Sequence, residues 1–148
     1  MVRLHCLAGL ATARRDSRAS LARPGLRRVL VVCYGNIYRS AFVGAYLALE
    51  RIPGLEVRSA GFHPEADRQV PARHVEMSRQ FGVDLSAHRS AALCGDDIAW
   101  AQLIVLMDRH NWRALIERGA ARDRLAWLGA LDCGALEITD PYRLDDAH

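Results

Sequence analysis

The chain has no lysine: every one of its 20 Lys+Arg residues is arginine. We read this as a trace of genome composition rather than of function. No apolar run approaches the ~20 residues of a membrane span, so no membrane association is expected. Cysteine is scarce, and none of the four forms a C-x-x-C pair, which argues against both a close-spaced zinc site and a disulfide framework. The six histidines are scattered without metal-ligand spacing, so neither a metal nor a cofactor is expected. Internal repeats and low-complexity segments are missing too. Acid is almost missing from one end: residues 1–28 hold seven Arg and a single acid, Asp16, a balance of +6. The rest carries 13 Arg against 16 acids, or −3, so the overall +3 misdescribes the globular part. A mildly acidic body excludes an extended nucleic-acid surface.

What is present is ordinary for one soluble domain: 148 residues, 51% apolar and 25% charged. Residues 1–27 read as an Arg-rich N-terminal extension, a disordered or loosely helical arm, and residues 28–148 as the folded domain. Within the latter, apolar runs at 28–33 and 103–107 have the continuity of strands buried on both faces. Shorter candidates lie at 55–59 and 125–128. Helical spacing covers 40–51, 72–81 and a stretch capped by Asp108 that runs through Arg118, with a short helix capped by Asp96 or Asp97 ending near Ala101. Strands alternating with helices predict an α/β fold: a central four-stranded parallel sheet with helices on both faces. Ligands of such folds bind beyond the C-terminal strand ends, where Cys33 and Asp108 would both sit.

The densest chemical signal is Val29-Leu30-Val31-Val32-Cys33-Tyr34-Gly35-Asn36-Ile37-Tyr38-Arg39-Ser40. A buried strand enters a tight loop containing Gly35 and Asn36, residues that tolerate positive φ. A helix follows at once. Loop N–H groups and a helix N-terminus together make an anion site. Cys33 opens this loop, and a thiolate there sits where an anion is wanted. Arg39 closes it with a planar fork suited to phosphate oxygens. Composition alone supplies roughly half a Cys-x5-Arg match by chance. The specificity therefore lies in the surrounding strand, loop and helix.

With these residues the stretch resembles the phosphate loop of the low-molecular-weight protein tyrosine phosphatases: Cys, a variable residue, Gly-Asn-Ile, a variable residue, Arg-Ser. Asp140-Pro141-Tyr142 resembles that family's second signature. Ser59-Ala60-Gly61, Ser86-Ala87-His88-Arg89 and Leu106-Met107-Asp108 stand in the expected order between them. The resemblance spans residues 28–142. It implies hydrolysis of phosphotyrosine in proteins through a phosphocysteine intermediate, in the cytoplasm. Catalysis would rest on Cys33, Arg39 and Asp140, and phosphate would lie among Tyr34, Gly35, Asn36, Ile37, Tyr38, Arg39 and Ser40. Tyr142 and Tyr34 would form walls for an aromatic ring, with Phe62 as an alternative to Tyr34. A network of Asn36, Ser40, Ser59 and His88 would brace the loop, and Ser40 could also act as a plain helix N-cap. The implied partner is a phosphotyrosine protein, such as a bacterial tyrosine kinase of polysaccharide export.

The chain also departs from the family pattern. Tyr38 stands where many members carry a second Cys, Ala41 where many carry Pro, and Arg143 where a second aromatic often follows. The chain is expected to lack the family's terminal helix, and the segment 4–13 could fill that place. Two other functions compete. One is a catalytically impaired protein that binds phosphorylated partners. The other is arsenate reduction, which requires a cysteine near the end of the 103–107 strand, where Met107-Asp108 stands.

Overall fold

The computed structural model describes residues 2–142, with side chains from Gly9 onward. Four strands make one parallel sheet in the order β2-β1-β3-β4: β1 Arg28–Cys33, β2 Glu56–Gly61, β3 Leu103–Leu106 and β4 Leu125–Trp127. Among the described residues five helices accompany it: α1 Val2–Leu21, α2 Arg39–Leu49, α3 Ala72–Arg79, α4 Gly95–Trp100 and α5 Arg109–Glu117. The expected α/β architecture is the one found. Short 3-10 turns, Arg122–Arg124 and Leu128–Leu131, flank β4.

Period-two alternation sorts the sheet's side chains between two cores. Leu30, Val32, Ile104 and Leu106 face one side and pack with Ile98 of α4 and Leu115 of α5. Val29, Val31, Cys33, Leu103, Val105 and Met107 face the other and meet Val43 and Leu47 of α2. A third cluster joins Ala41 of α2 to Val75 of α3, with Val83 and Leu85 beyond it. Each full burial of such a side chain stabilises the fold by roughly 1.5–3 kcal/mol before chain entropy is subtracted.

The helix before Ala101 is capped differently from the sequence expectation. Its N-cap is Cys94, and Asp97 sits at the third helical position, its Oδ2 accepting the Cys94 N–H at 3.1 Å. Asp108 does cap α5, accepting from the Asn111 N–H at 2.9 Å.

Of residues 1–27, expected to be a disordered or loosely helical arm, Val2–Leu21 form the 20-residue helix α1. Ala, Leu and Arg are strong helix formers, and Pro24-Gly25 stops the helix. It lies against β4 and the turn after it. Ser17 is 1% exposed, and its Oγ accepts the Trp127 N–H at 3.0 Å. Ser20 Oγ donates to Asp123 O at 3.1 Å, and Leu21 joins the α2-side core. The expected lack of a helix after Tyr142 concerns residues 143–148, which lie outside the described residues, as does the departure at Arg143.

Candidate active site

β1 ends at Cys33, β2 at Gly61 and β3 just before Met107-Asp108, so three C-terminal strand ends converge on one crevice. The sheet order places β2 and β3 on opposite sides of β1, which makes this the topological switch point of the fold. The crevice opens into a cavity of about 790 Å³ whose lining includes Cys33, Tyr34, Arg39, Asp108, Asp140 and Tyr142.

Cys33 is 2% exposed and lies at the floor. The Asn36 N–H donates to its Sγ at 3.2 Å, and Ser40 Oγ lies 3.0 Å from it. Both contacts suit a negative sulfur. Asn36 adopts φ +50°, the left-handed conformation expected of it. That turn aims its amide into the fold: Nδ2 donates to Ser40 Oγ at 2.9 Å and Ser59 Oγ at 3.0 Å, while Oδ1 accepts from the Ala91 N–H at 2.8 Å. His88 Nε2 meets Asn36 O at 2.9 Å. The four residues expected to brace the loop therefore meet around Asn36. Ser40 is not the helix cap. Tyr38 occupies that position and makes no side-chain cap bond; the Ser40 hydroxyl meets the sulfur and the Asn36 amide, with Ala60 O at 3.5 Å.

Gly61 shows why the loop fits. A Cβ there would lie 2.7 Å from Tyr34 O and 2.8 Å from Asn36 N. The Phe62 and His63 N–H groups donate to Cys33 O and Tyr34 O at 3.2 and 2.9 Å. The loop is thus laid directly on the backbone that leaves β2. Arg68, which sequence reasoning passed over, secures its tip: NH2 donates to Gly35 O at 2.7 Å and Nε to Glu65 O at 3.0 Å. Its signal was weak, an arginine in a polar loop.

Arg39 is 7% exposed and its guanidinium is compensated by two carboxylates. NH1 meets Asp108 Oδ2 at 2.7 Å and NH2 meets Asp140 Oδ2 at 2.5 Å, while NH1 also donates to Ile138 O at 2.7 Å. A buried guanidinium without such partners would be costly. Its Nε is buried without a hydrogen-bond partner among the described residues. Arg39 is also among the residues that line the cavity. The part of Asp108 in holding Arg39 went unseen in the sequence, where it read as a cap; it is both.

Both tyrosines expected as walls line the cavity. Tyr34 is 56% exposed, stacked edge-on against His63 at 5.6 Å, and Tyr142 is 63% exposed. Phe62 also lines the cavity, beneath the Arg118 guanidinium at 5.2 Å. Glu137 pairs with Arg109 at 2.9 Å, and the Ile138 N–H donates to Met107 O at 2.8 Å, so the segment leading to Asp140 is fastened to β3 and α5. Among the described residues no group of three or more His, Cys, Asp or Glu is placed to hold a metal ion, and no helix is long and apolar enough to cross a membrane.

Comparison with known proteins agrees with this geometry. Residues 28–148 match the model of the low molecular weight phosphotyrosine protein phosphatase family. A probable low molecular weight protein-tyrosine-phosphatase, EpsP, from Ralstonia nicotianae is 34% identical over 119 residues, covering 80% of each chain. A protein-arginine-phosphatase from Geobacillus stearothermophilus is 31% identical and spans 78% of each. Among solved structures, Vibrio vulnificus Wzb in complex with benzylphosphonate superposes with a TM-score of 0.68 at 30% identity, covering 80% of this chain and 84% of that one. On its sequence and its fold, the chain belongs to the low molecular weight phosphotyrosine protein phosphatase family.

Proposed function

We propose that the protein hydrolyses phosphotyrosine in proteins, with Cys33 as nucleophile and Asp140 as general acid. The observation that carries this reading is the juxtaposition at the cavity floor. Cys33 Sγ sits inside the loop, Arg39 offers an unpartnered buried Nε, and Asp140 lies on the same guanidinium. A phosphate monoester enters with its oxygens on the loop N–H groups from Tyr34 to Arg39 and on the Arg39 fork. Bound phosphate competes with Asp140 for NH2, which leaves the Asp140 carboxyl beside the ester oxygen. The Cys33 thiolate attacks phosphorus in line, the P–O bond to the phenol breaks, and Asp140 gives its proton to the departing oxygen. Water then attacks the phosphocysteine with the Asp140 carboxylate as base, releasing phosphate and restoring the thiolate, eased by the Ser40 hydroxyl.

Tyr34 and Tyr142 at the mouth favour an aromatic leaving group, since two exposed rings on one cavity offer flat apolar faces. The same family includes a relative named for phosphoarginine, so the substrate class needs a direct comparison. Arsenate reduction lacks support: Cys33 is the one cysteine lining the cavity among the described residues, and Cys94 and Cys133 are exposed elsewhere. A phosphotyrosine protein substrate, such as a bacterial tyrosine kinase, fits a cavity lined by Tyr34 and Tyr142, and a thiol nucleophile suits a reducing cytoplasm.

The test is a substrate panel. Phosphotyrosine, phosphoserine and phosphoarginine peptides of one sequence are compared by kcat/KM. We expect phosphotyrosine to lead by at least about 10²-fold, because the shorter serine ester cannot reach the loop past the tyrosine walls. Preference for phosphoarginine would overturn the substrate assignment while keeping the phosphatase chemistry.

A further inference from the structure

We propose that α1 serves catalysis at a distance, and that Arg14 is a positioning residue for the loop carrying Asp140. The proposal rests on the reading of Asp140 as the acid. Between β4 and Asp140 the chain has little regular structure beyond the turn Leu128–Leu131. Its carbonyls therefore need partners from elsewhere in the protein or from water. Arg14 supplies three: NH1 donates to Gly129 O at 3.2 Å and to Asp132 O, and NH2 donates to Gly134 O. One turn further along α1, Arg18 Nε donates to Ala130 O at 3.0 Å.

The convergence matters because of what the loop does there. It doubles back on itself at Gly129, where a Cβ would overlap the carbonyl oxygens of Ala135 and Leu136. Three carbonyls turned toward one point repel one another unless a cation sits between them. A guanidinium meets them with several donors in one plane, whereas an ammonium has a single nitrogen. From Gly134 the chain runs to Glu137, fastened by Arg109, and to Ile138 and Asp140, fastened by Arg39. Arg14 thus fixes the near end of a loop whose far end bears the acid. Among the described residues, Arg14 does not line the cavity, nor does any other residue of α1.

The experiment uses the full chain and an aryl phosphate series running from phenyl phosphate to strongly activated nitrophenyl esters. Arg14→Ala, Arg14→Lys, Arg15→Ala and Asp140→Asn are compared by kcat/KM. Arg15 is the control, since it lies on the same helix, is exposed and pairs with Asp16. Loosening one end of the loop is expected to lower phenyl phosphate turnover about tenfold and the most activated ester less than about twofold, the signature of a displaced acid. Arg14→Lys should fall between, and it stands in for the alanine variant if that fails to fold. Hydrogen exchange of residues 129–138 should quicken in Arg14→Ala while that of residues 33–40 stays unchanged. If Asp140→Asn shows the leaving-group-dependent loss and Arg14→Ala does not, the positioning role is overturned and the acid stands. If Asp140→Asn is flat across the series, the acid reading falls and takes the catalytic role of Arg14 with it. Unchanged exchange in Arg14→Ala would overturn the clamp itself, whatever the acid does.

Discussion

At the scale of single residues, the site is governed by who shares Arg39. Asp140 holds its NH2; on the proposed mechanism an incoming phosphate competes for the same group, so removing the carboxylate charge should strengthen anion binding even as it weakens catalysis. Asp140→Asn is expected to tighten inhibition by inorganic phosphate roughly three- to tenfold, the scale of one partly screened charge interaction near ~1 kcal/mol. Competitive inhibition constants against an activated aryl phosphate measure this. Unchanged or weaker inhibition would mean that phosphate and Asp140 do not share the guanidinium. Most of this neighbourhood was readable in the sequence because it is local: Cys33, Gly35, Asn36, Arg39 and Ser40 lie within eight positions, and their residue types dictate a turn, a fork and a hydroxyl. What escaped, the hold of Asp108 on Arg39 and the whole part of Arg68, acts across the chain. Asp108 reaches Arg39 from 69 positions away and Arg68 reaches Gly35 from 33. Nothing in a periodic pattern marks a side chain for a distant carbonyl or guanidinium.

At the scale of elements, strands and most helices follow from apolar periodicity, and the element whose docking was not legible is the one that lacks it. α1 is fastened mainly through Ser17, Ser20, Arg14 and Arg18 to backbone groups of the β4 region. Polar anchors of this kind leave no apolar stripe to read. α3 shows a different coupling. His74 stacks edge-on against Tyr38 of the phosphate loop at 4.8 Å, and its Nε2 is buried without a partner among the described residues. Burial lowers its pKa below the ordinary 6.5, against the opposing effect of a hydrogen bond to the Tyr38 backbone. The unfolded chain therefore takes up this proton at a higher pH than the folded one. The stability that His74 contributes is complete above pH 6.5 and is lost as pH falls from there through the lower folded value. Replacement by a residue that does not titrate should flatten this part of the acid limb. Denaturant unfolding of the protein and of His74→Phe between about pH 5 and 8 checks it. Parallel pH profiles for the two proteins would show that the lowered value contributes nothing to stability.

At the scale of the molecule, a four-stranded parallel sheet brings the ends of β1, β2 and β3 to one crevice, and the chain after β4 returns to close it. This arrangement was legible from the alternation of apolar runs with helices. The closing of the crevice was not, because the loop to Asp140 is held by Arg109, Arg39 and Arg14 rather than by any pattern of its own. With Cys33 as nucleophile, a phosphoryl group passes through its sulfur in every turnover. Rapid acid quenching of the protein during turnover of an activated aryl phosphate, followed by peptide mass spectrometry, tests this. A phosphoryl group is expected on the peptide containing Cys33, formed at a rate matching phenol release. Steady turnover with that peptide unmodified, or with the phosphoryl group on another residue, would contradict it.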